Sequence, residues 1–146
     1  MIVYTYPGRI KDVREIAAIK SFAKSSGLKL ISIGHYFSWC DDVVVPHPFE
    51  VLAYFKNASY IVTDTFHGTV FSIKYNKLFA TIVRGMNNNK LSHLLEQFGL
   101  NSRIVNNIDD LRTILDTTIN YEPINEQIKK ETQRSIEYLR ENVSKK

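Results

Sequence analysis

Short apolar runs that suit β-strands alternate with longer amphipathic stretches that suit helices along this chain of 146 residues. Parallel strands need long crossover connections, and a helix is the usual one. The alternation therefore predicts an α/β fold, an open domain with a parallel sheet and helices on both faces. The strand candidates are residues 2–6, 28–33, 60–63, 78–83 and 103–105.

Helices are predicted between and after these strands. Pro48 suits the first turn of one helix, in which Phe49, Leu52, Ala53 and Phe55 are expected to be buried. Within residues 121–146 a long C-terminal helix is predicted from about Pro123 to Asn142. Its expected apolar stripe consists of Ile124, Ile128, Ile136 and Leu139.

Composition narrows the function classes. The chain carries 19 Lys and Arg against 15 Asp and Glu, a net charge of +4 that suits a small anionic substrate. No Lys/Arg block is present, so nucleic acid is not an expected partner. The single cysteine excludes an internal disulfide and favours a reducing, cytoplasmic location. No apolar run approaches the roughly 20 residues that span a bilayer, so no integral membrane segment is expected. We also expect no cofactor and no metal.

Three loops follow strands and are the places to look for a site, because ligands of open α/β sheets bind beyond the carboxyl ends of the strands. They are 34–46, 64–68 and 84–90. The second loop contains His67 next to Gly68, between a strand and a helix. Helix N-termini attract anions, and a histidine can transfer a proton near neutral pH. His67 is therefore the leading catalytic candidate, with a packed, helix-capping histidine as the alternative.

The neighbours of His67 are candidates for binding substrate. Asp64 either orients His67 or caps the following helix. The hydroxyl of Thr65 suits a phosphate or a sugar, and Phe66 lies beside the histidine. Gly68 permits a close backbone approach, either to a ligand or to a neighbouring strand.

The third loop supplies further candidates. Arg84 closes a strand and is placed to meet a carboxylate or a phosphate, with a solvated surface arginine as the alternative. Asn88 and Lys90 follow in the same loop. The segment from His35 to His47 is predicted to be a loop, and it contains Cys40 but no zinc-type spacing.

Several stretches between Pro48 and Arg103 stand in a specific order and spacing. They are Pro48–Leu52, Ala58–Ser72, Asn88–Leu91 with Leu94-Leu95, and Gly99-Leu100 followed by Arg103. In this order they resemble the polysaccharide pyruvyl transferase family. The resemblance implies two facing Rossmann-like domains, similar to the GT-B glycosyltransferases. Because members are much longer, residues 1–146 are expected to be one Rossmann-like domain, the C-terminal half of an enzyme whose N-terminal domain is missing.

The resemblance also implies the chemistry. Characterised members transfer the pyruvyl group of phosphoenolpyruvate to two hydroxyls of a sugar, which forms a ketal and releases phosphate. The general acid role of the motif histidine carries over to His67. The expected partners are phosphoenolpyruvate and a saccharide of a cell-surface polysaccharide precursor. The isolated domain is expected to be inactive, since its cleft would lack the opposite wall.

Two positions depart from the family pattern. Some members have an arginine two residues before the motif histidine, where this chain has Thr65. The arginine often found after the loop asparagine is Lys90 here, which keeps the charge but loses the bidentate fork. Two alternatives therefore stay open: a GT-B-like glycosyltransferase domain that binds a nucleotide sugar, and a binding domain without catalytic activity.

Overall fold

The structure, a computed structural model, describes residues 1–85 and 88–143. Its strands are β1 (Ile2–Tyr4), β2 (Ile31–Ile33), β3 (Asp42–Val44), β4 (Tyr60–Thr63), β5 (Leu78–Ile82) and β6 (Ile104–Val105). Its helices are α1 (Val13–Ser25), α2 (Pro48–Asn57), α3 (Phe66–Lys74), α4 (Asn88–Gln97), α5 (Leu111–Asp116) and α6 (Glu122–Val143).

The six strands form one parallel sheet in the order β3-β2-β1-β4-β5-β6. The predicted α/β fold is therefore confirmed, and the order is that of a Rossmann-like sheet. The chain moves outward in one direction from β1 to β3 and in the other from β4 to β6. The strand order thus reverses between β1 and β4, where sheets of this kind open a crevice for a ligand.

Helices cover both faces of the sheet, because the central strands are apolar on both sides. Successive strand residues point to opposite faces, so Val3, Val62 and Ala80 pack with α1 and α5, whereas Ile2, Ile61 and Phe79 pack with α2, α3, α4 and the start of α6. Near-continuous apolar strands are typical of such doubly covered parallel sheets. Two separate cores therefore hold β1 and β4 side by side at the centre of the sheet.

The loop predicted between His35 and His47 is partly wrong, because it contains β3. This strand has three residues, begins with an aspartate and pairs only with β2 at the sheet edge. An edge strand need not be apolar on both faces, so it lacks the run that marks a buried parallel strand. Its sequence therefore did not distinguish it from a loop.

The expected burial of α2 is only partly right. Phe55 is fully buried and Leu52 is half-buried, but Ala53 is exposed and Phe49 is 87% exposed. At 3.6 residues per turn, Phe49 lies about 120° around the helix axis from Phe55. The helix packs through a narrower stripe than expected.

The C-terminal helix has the predicted position, but its apolar stripe is buried only at the beginning. Ile124 is buried and Ile128 is half-buried, whereas Ile136 and Leu139 are exposed, as is every residue from 129 to 143. In the described part of the chain, no helix combines the length and the apolar character that crossing a membrane requires.

Candidate active site

A network of threonine hydroxyls fixes the turn from β4 into α3. The Thr63 hydroxyl donates to the Tyr4 carbonyl at 2.6 Å and accepts the Thr65 N–H at 3.1 Å. It lies 3.0 Å from the Thr65 hydroxyl, which must be the donor because the Thr63 proton is already used. The end of β4 is thus joined to the end of β1 by side chains as well as by the sheet.

Thr65 is the N-cap of α3. Its hydroxyl accepts the Gly68 N–H at 2.9 Å, and its carbonyl accepts the Thr69 N–H at 3.1 Å. Asp64 is therefore not the cap. The N–H groups of Phe66 and His67 belong to the first helical turn, where backbone amides have no acceptor within the helix.

Gly68 meets a neighbouring strand. A Cβ atom at this position would lie 2.2 Å from the Thr63 hydroxyl oxygen and 2.8 Å from the Thr65 hydroxyl oxygen. Only glycine permits this approach, which lets Thr65 cap the helix directly over the end of β4. Of the two alternatives for Gly68, the structure supports close packing against the strand.

A cleft of about 750 Å³ opens beside this turn. One wall comes from the end of β1 and the start of α3, and the other comes from α4. The lining residues are Tyr6, Arg9, Phe66, His67, Lys90, His93, Leu94 and Gln97. The His67 ring lies between two phenylalanines, with its centroid 6.2 Å from that of Phe66 and 6.3 Å from that of Phe71. The cleft therefore brings together three of the predicted site residues, His67, Phe66 and Lys90.

The cleft is cationic. Arg9 and Lys90 carry fixed positive charges, His67 and His93 can each bind a proton, and none of the described lining residues is a carboxylate. An anionic ligand would enter this space without meeting a like charge at its surface. The lining of this cleft, beside the position where the sheet order reverses, therefore carries a net positive charge.

Sequence reasoning missed Arg9 and His93. Arg9 follows the Pro7-Gly8 turn after β1, and its proximity to His67 depends on the pairing of β1 with β4, two strands far apart in sequence. His93 is an exposed residue of α4. Its spacing of three residues from Lys90, which puts both on one helix face, was the available signal.

Arg84 and Asn88 are bound elsewhere. The Arg84 guanidinium donates to the Glu15 carboxylate at 2.6 Å, and the Asn88 side-chain oxygen accepts the Ser92 hydroxyl at 3.0 Å. Neither belongs to the described lining of the cleft. Their role in substrate binding stays a prediction.

Asp64 lies behind the cleft wall and is buried, with 2% of its side chain exposed. One carboxylate oxygen is 3.7 Å from the Arg9 Nη1 atom. Burial raises the pKa of the Asp64 carboxyl, and the Thr5 hydroxyl, Arg9 and Arg84 oppose that rise. The environment of this group therefore disfavours its charge.

In the segment from His35 to His47, the Cys40 thiol is not activated. Burial raises the pKa of the Cys40 thiol to about 11, so it is protonated at neutral pH and is a poor nucleophile. Within residues 1–85 and 88–143, no three His, Cys, Asp or Glu side chains converge as metal ligands would.

Comparison with known proteins identifies the family of this chain through a family model. No curated protein and no solved structure matches the chain. The model of a family described as polysaccharide pyruvyl transferase matches residues 5–84, a span that contains the β1 end, Arg9 and the turn that carries His67. Since this span is more than half of the sequence, the chain belongs to the polysaccharide pyruvyl transferase family.

Proposed function

We propose that this chain is the C-terminal, Rossmann-like half of a GT-B-like enzyme that transfers the pyruvyl group of phosphoenolpyruvate to a sugar of a cell-surface polysaccharide precursor. The family implies a transferase with a saccharide acceptor. The observation that carries the proposal is the cationic cleft around His67, which has no carboxylate among its described lining residues.

Phosphoenolpyruvate fits the charge of this cleft. It carries a carboxylate and a phosphate, and its site needs several donors on opposite sides. Arg9 offers a planar fork of N–H groups to one anionic group, and Lys90 offers a compact positive charge from the other wall. The first amides of α3 add donors at the positive end of the helix.

His67 is proposed to be the general acid. It would give its proton to the methylene carbon of phosphoenolpyruvate while a sugar hydroxyl bonds to the adjacent carbon and loses its own proton. The second sugar hydroxyl would then attack the same carbon while phosphate leaves with the electrons of its C–O bond. Of the two hydroxyl protons released, one would re-protonate His67 and the other would leave with phosphate, which completes the ketal. The exposed ring of His67, between Phe66 and Phe71, suits such a transfer at the cleft surface.

The other predicted residues take supporting roles in the proposal. Thr65 and Gly68 hold the turn so that the amides of Phe66 and His67 face outward. Arg84 and Asn88 are proposed to contact substrate only if they leave their present partners, Glu15 and Ser92.

The variant His67→Asn in the complete parent protein tests the catalytic role. We expect at least about 100-fold slower ketal formation, because a positioned acid contributes at least that much, and an unchanged unfolding midpoint, because His67 is exposed. The matched control is His35→Asn, an exposed histidine outside the described cleft lining. Near-normal turnover by His67→Asn would reject the assignment.

A titration tests the donor. Phosphoenolpyruvate is expected to shift the amide resonances of residues 66–68. Shifts with a nucleotide sugar alone would favour a glycosyltransferase domain, and inactivity of the parent protein with every donor would favour a binding domain.

Residues 1–146 alone are expected to show no turnover.

A further inference from the structure

Asp64 is a buried carboxyl group that forms no geometrically defined hydrogen bond with the residues that the structure describes. Neither of its oxygens meets the geometry of a hydrogen bond with a described donor, although the Thr5 hydroxyl is near enough to lower the pKa of the carboxyl group and only 2% of the side chain is exposed. Buried polar atoms are nearly always paired in folded proteins, and each exception needs a physical reason. Asp64 also lies directly after β4, beside the position where the strand order reverses.

The side chains that lower the pKa of Asp64 follow the ends of the two strands on either side of β4, which are β1 and β5. Thr5 lies at the end of β1, Arg9 in the loop that follows, and Arg84 beyond the end of β5. Arg84 is already paired with Glu15 of α1 at 2.6 Å. In the part of the chain that the structure describes, Arg9 is therefore the one cation within ion-pair distance of Asp64.

Arg9 faces two sides. Its Nη1 atom is 3.5 Å from the Asp64 carbonyl oxygen, and its guanidinium lies 4.9 Å from the centre of the Tyr6 ring. The side chain is nevertheless 40% exposed and lines the cleft. An anion bound in the cleft and the Asp64 carboxylate would thus share one guanidinium. Two negative charges that share one site disfavour each other, and the weaker acid takes up a proton.

We propose that Asp64 is the internal counter-charge of Arg9 and that it takes up a proton when an anion occupies the cleft. In the empty site, the Asp64 carboxylate balances the positive charge of Arg9. In the occupied site, the bound anion balances that charge in place of Asp64. The inference rests on the proposed function only in that the cleft takes a small ligand with a phosphate or carboxylate group. It does not depend on pyruvyl transfer.

Other groups also respond to an anion in the cleft. His67, His93 and Lys90 also line it, and an imidazole is a side chain that can exchange a proton with a ligand or with water. Glu15 is paired with Arg84. The two histidines must therefore be removed before a proton uptake can be assigned to Asp64.

The test is a carbon NMR titration of the Asp64 carboxyl in the full chain carrying His67→Asn and His93→Asn, between about pH 4 and pH 8. The probe is sulfate, whose charge is constant over this range. Saturating sulfate is expected to raise the proton affinity of Asp64 at least about threefold, and by linkage protonation strengthens sulfate binding by the same factor. Arg9→Gln is expected to abolish this response.

A second variant tests the same coupling from the ligand side. In the histidine-free background, Asp64→Asn is expected to bind sulfate at least about threefold more tightly at pH 7.5 and to lose the pH dependence of binding. The matched control is Asp109→Asn, which removes an exposed carboxylate paired with Arg14 and is expected to change neither quantity. If Asp64→Asn does not fold, the inference is tested by the carbon NMR titration alone, in the histidine-free protein with and without Arg9→Gln.

Three results would overturn the inference: an Asp64 titration unchanged by bound sulfate, weaker binding by Asp64→Asn at every pH, or no sulfate binding at all. Pyruvyl transfer without a response of Asp64 would reject this inference and leave the proposed function intact. A response of Asp64 without pyruvyl transfer would support this inference and reject the proposed function.

Discussion

Thr65 and Asp64 are adjacent, buried and polar, yet their surroundings are opposite. Thr65 has its donor and its acceptor engaged, in hydrogen bonds with Thr63 and Gly68. Asp64 has no hydrogen bond among the described residues, and only Arg9 lies near it as a counter-ion. The comparison teaches that one turn can combine a fully satisfied residue, which maintains the backbone, with an unsatisfied one, which can change its protonation state when a ligand binds.

The largest loss of stability is expected from Gly68→Ala, which disturbs the hydrogen-bonded turn around Thr65. The new methyl group would lie 2.2 Å from the Thr63 hydroxyl oxygen, so the turn must move and the protein should lose about 3 kcal/mol of unfolding free energy. Chemical denaturation measures this loss. Gly8→Ala is the control, because it adds only the backbone strain of a positive φ with no atom within 4 Å, about 1 kcal/mol. An equal loss in the two variants would contradict the packing described for Gly68.

Thr65→Val removes the cap and keeps the shape. It leaves the Gly68 N–H buried without an acceptor, so we expect a loss of about 2 kcal/mol in unfolding free energy. Thr117→Val, which removes an exposed hydroxyl bonded to the Thr113 carbonyl, should cost about 0.5 kcal/mol or less. Thr65→Ser should restore most of the stability. Similar losses in the two valine variants would show that capping contributes little.

The variant Arg9→Gln tests the arginine that lies near Asp64 as its counter-ion. We expect about tenfold weaker phosphoenolpyruvate binding by calorimetry, because a charge-assisted hydrogen bond of about 1.5 kcal/mol is lost. Arg14→Gln, which removes an exposed arginine paired with Asp109, serves as the control and should bind normally. Arg84→Gln should have a smaller effect than Arg9→Gln, since Arg84 is engaged by Glu15. An effect as large as that of Arg9→Gln would place Arg84 in contact with the ligand.

The smallest effect is expected on the pH dependence of the unfolding free energy, through the carboxyl group of Asp64. Burial raises the pKa of Asp64 in the folded protein, so the folded state binds the proton more tightly than the unfolded state does. Wild-type stability should therefore increase as the pH falls through the folded-state pKa toward the unfolded value of about 3.9. Asp64→Asn should lack this increase and be more stable than wild type at pH 7.5 by about 1 kcal/mol, with the difference vanishing near pH 4. A constant difference across this range would contradict the predicted titration.

The sequence allowed much of the fold to be predicted, because β1, β4 and β5 are apolar runs of the kind that buried parallel strands require. It did not reveal β3, because a strand at the sheet edge need not be an apolar run. The outer half of α6 shows the opposite error, since Ile136 and Leu139 follow the helical period and yet are exposed.

The candidate site was predicted where its signal is local. His67, Phe66 and Gly68 belong to one short segment whose residue types suit a strand-to-helix turn. Arg9 reaches this segment only because β1 pairs with β4, and no local pattern specifies which strands pair. The state of Asp64 depends on burial and on the charges of Arg9 and Arg84, which follow two different strands and become adjacent to it only in the folded chain.

The hydrogen bond from the Thr63 hydroxyl to the Tyr4 carbonyl has a mechanical consequence. Together with the backbone pairing of β1 and β4, it fastens the loop that carries Arg9 to the turn that carries His67. These two residues should therefore move as a single rigid body. A change in the width of the cleft is then expected to come from displacement of α4, which would move its four lining residues together: Lys90, His93, Leu94 and Gln97.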